Sequence, residues 1–502
     1  MKKRNLPKIC KLFFGQLAVF FLLLLTFSLF WAIKNFGNIG LNEIIFTLHM
    51  PLKNASAGFL ADYFWKAAVP SVVLFASELF VTVNPFHWKR AEFQMPVPVF
   101  LCIAGVWFAA LFFVANGQFG ILSYVKSQMA ESTLIEEEYV SPDEVQIRFP
   151  KEKRNLICIY VESLESSMQD VANGGIFETN YIPELTELAK ESVSFSQSEK
   201  IEGAAVAPAS GWTIAGLVAE TAGLPLKLFE YNDRGTDNAM SRYEYFLPGA
   251  VTLGDILERE GYQNYIMFGS KAEFGGRRTY FKQHGNYEIW DYDSAVSEGR
   301  ISSDYYVNWG FEDQKLYQYA KEKLLELADE DRPFCFSMLT ADMHTPAGYR
   351  CRLCPDRYEE QYGNVLACAS AQLSDFVKWL KQQEFYENTS ILICGDHCSM
   401  VADFFGKNSY DKHNGETVRK VYNAFLNSAA SPVQEKNRRF TTMDLFPTVI
   451  ASLGGTIEGD RLGIGTNLFS GEQTLAEKYG YETLFEELNK RSTFYDNKIL
   501  YP

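Results

Sequence analysis

Positive charge is scarce in this sequence: 47 Lys and Arg stand against 62 Asp and Glu, a formal net charge of −15. That deficit excludes nucleic acid as a partner, because holding its phosphates takes clustered Lys and Arg. A phosphorylated substrate stays open, since it needs only a few local cations and a metal. Low-complexity tracts and internal repeats are also missing, which argues against a solenoid or a propeller. Aromatic residues, by contrast, are abundant. The 40 Phe outnumber the 8 Trp and 27 Tyr together, and much of the excess falls before residue 115, so a membrane part and a soluble part are expected. At 502 residues the chain should form two or three units.

Three apolar runs stand near the N-terminus. Leu12 to Ile33 carries no charge and is long enough to cross a bilayer core of about 30 Å. It exceeds the apolar part of a signal peptide, and no small-x-small cleavage site follows Trp31. A second run covers about 67–83 and contains Pro70 and Glu78; a third covers about 97–115. We assign Glu78 no role and expect it to face neighbouring helices or an interface. Lys2, Lys3, Arg4, Lys8 and Lys11 precede the first run, and Lys89 and Arg90 lie between the second and third. By the positive-inside rule these segments are cytoplasmic. Three crossings then predict a multi-pass cell-membrane protein with everything after residue 117 on the extracytoplasmic side. Residues 118–152 are polar and acidic and read as a connector, leaving 153–502 as the soluble domain.

Within that domain three strand-length apolar runs end in chemistry. Leu156 to Val161 runs into Glu162, Ser390 to Cys394 into Asp396 and His397, and Pro333 to Leu339 leads to Asp342 and His344. Helical stretches at 317–328 and 369–382 lie between them. Alternating strands and helices imply an α/β sheet, which binds ligands beyond the carboxyl ends of its strands. A lone Glu there is usually a solvated acid or a cap, and a lone His a structural residue. Two carboxylates and an imidazole converging on one edge suit Mn²⁺, Zn²⁺ or Mg²⁺ better than packing does.

A nucleophile would let such a site split a transfer into two steps. In Ala207-Pro-Ala-Ser-Gly-Trp-Thr213, small residues precede Thr213 and helix-compatible residues 214–222 follow. A hydroxyl at a helix start sits where backbone N–H groups favour a phosphate oxygen. An ordinary Thr cap explains the pattern equally well.

These segments resemble a known family. Val161-Glu-Ser-Leu-Glu-Ser166, Gly211-Trp-Thr-Ile-Ala-Gly216, Thr340-Ala-Asp-Met-His344 and Gly395-Asp-His397 are similar to the sulfatase/alkaline-phosphatase-like phosphoglycerol transferases, as are 246–257 and 459–470. That family includes lipoteichoic acid synthase and, in closer resemblance, the transferase that decorates periplasmic glucans. The likeness covers about 153–472 and implies a mixed-sheet α/β/α domain. It further implies Glu162, Asp396 and His397 as metal ligands, usually of Mn²⁺, and Thr213 as the nucleophile that also touches the metal. His344 matches a substrate-contacting histidine, a possible acid or base, and Arg277 matches a phosphate-binding arginine. Gly275 stands where an aromatic is found, so the head-group pocket can differ. Lys271, Arg278 and His284 lie nearby and are not expected to be ligands. The formylglycine motif C/S-x-P-x-R of true sulfatases is missing; Cys354-Pro-Asp-Arg357 has the wrong spacing, which argues against sulfate hydrolysis.

The function so implied moves glycerol phosphate from phosphatidylglycerol to an envelope glycan or polymer through a phosphothreonine intermediate. The alternatives are a phosphoethanolamine transferase or phosphodiesterase on the same scaffold, and a non-catalytic surface-binding protein. Of nine cysteines, Cys10 and Cys102 lie in or beside membrane runs, and Cys158, Cys335 and Cys394 fall in core strands as small apolar residues. Among Cys351, Cys354 and Cys368 a disulfide from Cys368 to one of the others is expected outside the cytoplasm. A zinc site is the weaker alternative for want of a fourth ligand. Cys398 is read as an outer-shell group, and His413 with Lys412 and Asn414 as a solvated turn.

Overall fold

The computed structural model describes residues 6–36, 41, 44–45, 57–83, 96–227, 245–406, 412–413, 416–417 and 419–502. Lys2, Lys3, Arg4, Lys89, Arg90 and Asn414, and the side chains of Lys8, Cys10, Lys11, Lys412 and His413, lie outside the described part. The chain divides into two compact units, one of residues 1–41 and 55–123, the other of 42–54 and 124–502.

In the first unit, α1 (Leu6–Phe36), α2 (Ala57–Tyr63), α3 (Val69–Val83) and α4 (Val97–Phe119) are helical because their sequences are almost uninterruptedly apolar. Among the described residues two stretches are long and apolar enough to cross a membrane, Phe14–Asn35 and Pro98–Phe119. The expected second span is therefore corrected. At ~1.5 Å per residue, the 15 residues of α3 fall short of a bilayer core. A turn of π-helix, Phe64–Ala68, joins α2 to α3, and this preceding stretch carries the Lys66–Asp62 ion pair. Polar groups here pair across helices. Gln16 Nε2 donates to Glu78 Oε1 at 3.2 Å, Trp31 Nε1 to Asp62 Oδ2 at 2.8 Å and Trp107 Nε1 to Thr26 Oγ1 at 3.1 Å. Glu78 thus faces a neighbouring helix, which an acid among apolar residues requires.

The second unit is built on a six-stranded sheet. Its strands are β1 (Asn155–Val161), β2 (Gln263–Phe268), β3 (Glu288–Trp290), β4 (Phe334–Leu339), β5 (Thr389–Gly395) and β6 (Asn423–Leu426), in the order β3-β2-β4-β1-β5-β6. All neighbours are parallel except β6, antiparallel to β5, so the sheet is mixed. The central strands are buried on both faces, as continuous apolar runs in a parallel sheet must be. Two apolar cores lie against it, one on each face. Cys158, Cys335 and Cys394 are wholly buried in these strands. The register sets Tyr160 opposite Leu339 and Val161 opposite Gly395. Glu162, Thr340 and Asp396 therefore leave the sheet side by side at one edge.

The segment read as a connector is more than a tether. Leu134 and Ile135 are buried in one core, and Ile147–Arg148 pairs antiparallel with Thr456–Ile457. Glu138 is buried, bonding Arg461 Nη1 at 2.9 Å and Lys478 Nζ at 2.5 Å. Burial raises its pKa, but Lys478, Tyr479 and Arg461 outweigh that and hold it below the usual carboxylate range.

A second buried ion pair braces the sheet edge. Arg419 grips Glu165 with both arms of its guanidinium, Nε to Oε2 at 2.9 Å, while Ser399 N donates to Glu165 Oε1 at 2.7 Å. The pair ties the loop after β1 to the loop after β5. Removing one partner leaves a buried charge uncompensated. Arg419→Ala should lower unfolding free energy by about 3–5 kcal/mol, read from denaturant midpoints of parent and variant side by side.

Candidate active site

Glu162 follows β1, Asp396 and His397 follow β5, and all three are buried. His397 Nε2 lies 3.5 Å from Glu162 Oε1 and 3.5 Å from Asp396 Oδ2. One ligand atom from each residue falls within 4.8 Å of the others. Four further contacts orient the set. His397 Nδ1 is 2.9 Å from the Cys398 carbonyl, which makes that nitrogen the donor and turns Nε2 to the site. Asp396 Oδ1 accepts from the backbone N–H of Ser163 at 2.8 Å and of His397 at 2.9 Å. Ser163 Oγ donates to Glu162 Oε1 at 2.7 Å. Asp396 Oδ2, equally buried, has no hydrogen-bond partner among the described residues.

A buried carboxylate oxygen that accepts no hydrogen bond, beside an imidazole nitrogen and a second carboxylate, is costly unless something positive occupies the gap. Burial, then the Glu162 charge, pushes Asp396 up to about 7 despite His397. A divalent cation would reverse that. The donor set fits one, with oxygen and nitrogen ligands suited to Mn²⁺, Mg²⁺ or Zn²⁺.

Thr213 opens the helix α5 (Thr213–Ala222) as its first helical residue, with Trp212 in the capping position. Its hydroxyl does not cap. It lies 3.4 Å from His397 Nε2, so the structure brings the fourth sequence-selected residue to the same point. Gly216, one turn on, lets this happen: a Cβ there would overlap the Asp396 carbonyl oxygen. Gly395 has the same relation to the Leu164 carbonyl. Gly216→Ala should push α5 off the Asp396 backbone and lower kcat by about 100-fold, as an ångström of misplacement can, with the far-UV circular dichroism unchanged.

Arg277 is buried with Nη2 on Ser270 Oγ (3.0 Å) and the Lys271 carbonyl (2.7 Å) and Nε on the Phe274 carbonyl (2.9 Å). Its guanidinium lies over the Phe268 ring at 4.7 Å. Among the described residues no carboxylate pairs with it. Burial lowers its pKa to about 10, still charged at neutral pH, and Glu162, Asp291 and Asp396 oppose that drop. A buried cation held by neutral acceptors is a seat for an anion. His344 sits against Trp309, ring centroids 4.2 Å apart and the rings tilted by 46°. Burial, chiefly, brings its pKa down to about 4, within electrostatic reach of His397, Asp396 and Arg277. Its loop is held by Asp313, which accepts from the N–H of Ala341 at 2.7 Å and of Asp342 at 3.1 Å.

The neighbours are otherwise engaged. Lys271 pairs with Asp293, and Arg278 with Glu273 and Asp291. His284 spans Asp255 Oδ2 (3.1 Å) and the Phe246 carbonyl (2.8 Å) as a buried structural link. Cys398 contributes its carbonyl to His397. The expected disulfide is not formed: Cys351, Cys354 and Cys368 are free thiols. Sequence reasoning assigned nothing to Glu165, Arg419 or Trp309. Glu165 stands inside a quoted motif, but its partner lies 254 residues away, and no local pattern announces Trp309.

Residues 154–455 match the sulfatase family. Phosphoglycerol transferase I of Xanthomonas campestris pv. campestris is 30% identical over 64% of this chain and 43% of that protein. Phosphoglycerol transferase I of Xanthomonas euvesicatoria pv. vesicatoria is 27% identical over 92% and 62%. The chain thus spans between two-fifths and two-thirds of the length of these relatives. A protein in the alkaline phosphatase superfamily from Vibrio parahaemolyticus superposes with a TM-score of 0.51 at 20% identity, covering 68% of this chain and 79% of that one. That likeness bears on the fold alone.

Proposed function

The chain belongs to the sulfatase family, and from that premise we propose that it is a membrane-anchored phosphotransferase moving glycerol phosphate from phosphatidylglycerol to an envelope glycan or polymer. The observation that carries this reading is the Thr213 hydroxyl, presented at a helix start 3.4 Å from His397 Nε2 beside Asp396 Oδ2, which accepts no hydrogen bond among the described residues. Similarity to phosphoglycerol transferases I supports the choice of cargo.

Glu162, Asp396, His397 and Thr213 Oγ1 would hold a divalent cation, Mn²⁺ by preference, which when bound would lower the hydroxyl pKa and neutralise phosphate charge. Thr213 Oγ1 then attacks phosphorus, the bond to the diacylglycerol oxygen breaks, and diacylglycerol leaves with a proton. Arg277 binds the phosphodiester, and the neutral His344 ring accepts the proton of the incoming acceptor hydroxyl. That hydroxyl displaces Thr213 Oγ1, which regains its proton. The apolar helices keep the enzyme on the membrane that contains the donor. The Lys89-Arg90 pair shortly before α4 supports an extracytoplasmic catalytic domain, because by the positive-inside rule α4 then runs outward.

Full-length protein in liposomes of labelled phosphatidylglycerol or phosphatidylethanolamine tests the cargo. Diacylglycerol should appear from the former only, with the head group passing to an added glycan. Diacylglycerol from phosphatidylethanolamine alone would transfer the reading to a phosphoethanolamine transferase, and free glycerol phosphate regardless of acceptor to a phosphodiesterase.

A further inference from the structure

Beyond the Glu162 centre the structure holds a second convergence of metal-binding side chains. Cys351 and Cys354, with two residues between them, stand in the loop that begins after β4 and carries His344. Cys368 lies on the helix α6 (Gln361–Leu380). Cys351 Sγ is 3.7 Å from Cys354 Sγ and 3.7 Å from Cys368 Sγ, and all three sulfurs fall within 4.8 Å of one another. Neither pair is bonded. A disulfide would join two and strand the third.

The spacing matches another arrangement. Thiolates around tetrahedral zinc, with Zn–S of about 2.3 Å, lie about 3.8 Å apart along each edge. The surroundings supply what thiolates need. The Leu353 N–H points at Cys351 Sγ (3.4 Å), turning the Cys-x-x-Cys segment around that sulfur. Gln372, one helical turn after Cys368, directs Nε2 at Cys368 Sγ (3.3 Å) and Cys351 Sγ (3.8 Å). These donors stabilise negative sulfur and orient it, as outer-shell groups do.

We propose that Cys351, Cys354 and Cys368 form a structural zinc site separate from the catalytic centre. Soft sulfur donors select Zn²⁺ over the Mn²⁺ or Mg²⁺ that an oxygen-rich set accepts. Binding three thiolates releases the protons of the thiols. Cys354 is half-buried while Cys351 and Cys368 are buried, so the fourth position opens on the Cys354 side, where water completes the tetrahedron. The metal clips the His344 loop to α6, adding to Gln361 Nε2, which already donates to the carbonyls of Ala347 (3.3 Å) and Gly348 (3.0 Å).

The test uses the full-length Asp396→Asn protein, whose catalytic centre is disabled, purified in detergent without chelator. Elemental analysis should find about one zinc per chain, lost on further substitution Cys368→Ser. Should that double variant fail to fold, Co²⁺ exchanged into Asp396→Asn should give a thiolate-to-metal absorption band. A disulfide within the trio by intact mass, or three thiols that alkylate freely in the native zinc-free protein, would overturn the site.

Discussion

Thr213→Ala should abolish head-group transfer, with kcat down by at least about 10⁴-fold, as when a covalent nucleophile is removed. Stability should barely move. Thr213 occupies the first helical position and caps nothing, and its hydroxyl makes one long contact, to His397. Alanine is the better helix former. Thr213→Ser keeps an attacking oxygen at the same place and should retain measurable turnover. Lipid-product assays on the three proteins, with thermal midpoints alongside, separate chemical loss from unfolding. Full activity in the alanine variant would remove Thr213 from the reaction.

Asp396→Asn should be nearly as severe, acting through the metal. Its Oδ1 accepts two backbone N–H groups, at 2.8 and 2.9 Å, which an amide oxygen can keep. Its Oδ2 is buried with no hydrogen-bond partner among the described residues, and there the amide puts a neutral nitrogen. The fold survives while one of two negative ligands disappears, and Mn²⁺ affinity measured by calorimetry should fall by orders of magnitude. The parent protein adds a pH signature. Because burial and Glu162 hold Asp396 near 7 without metal, the cation must displace a proton below that pH. Affinity should therefore drop about tenfold per pH unit as pH falls below 7, a slope that Asp396→Asn flattens.

Much of this was legible in the sequence where a single stretch carries the information. The runs ending at Glu162 and Asp396 are strands because they are apolar without alternation, which only burial on both faces tolerates. The helix after Thr213 lies where its residues favour it. What stayed hidden depends on distant partners. Arg419 gives no sign of meeting Glu165, and Gly216 reads as a mild helix weakener until the Asp396 carbonyl appears against it. Strands of three and four residues, β3 and β6, are too short for periodicity to mark. The middle apolar run looked like a span by composition, yet its helix changes to a π-turn next to the Asp62–Lys66 pair. The three cysteines invited a disulfide by compartment; their sulfurs instead converge at equal spacing on Cys351.

The central claim is that Thr213 carries the phosphoglycerol group between donor and acceptor. Full-length protein incubated with phosphatidylglycerol and Mn²⁺, without acceptor, then quenched in acid and digested, tests it by peptide mass spectrometry. A glycerophosphate adduct should appear on the peptide containing Thr213 and vanish when a glycan acceptor is added before quenching. Diacylglycerol release with that peptide unmodified throughout would contradict the account.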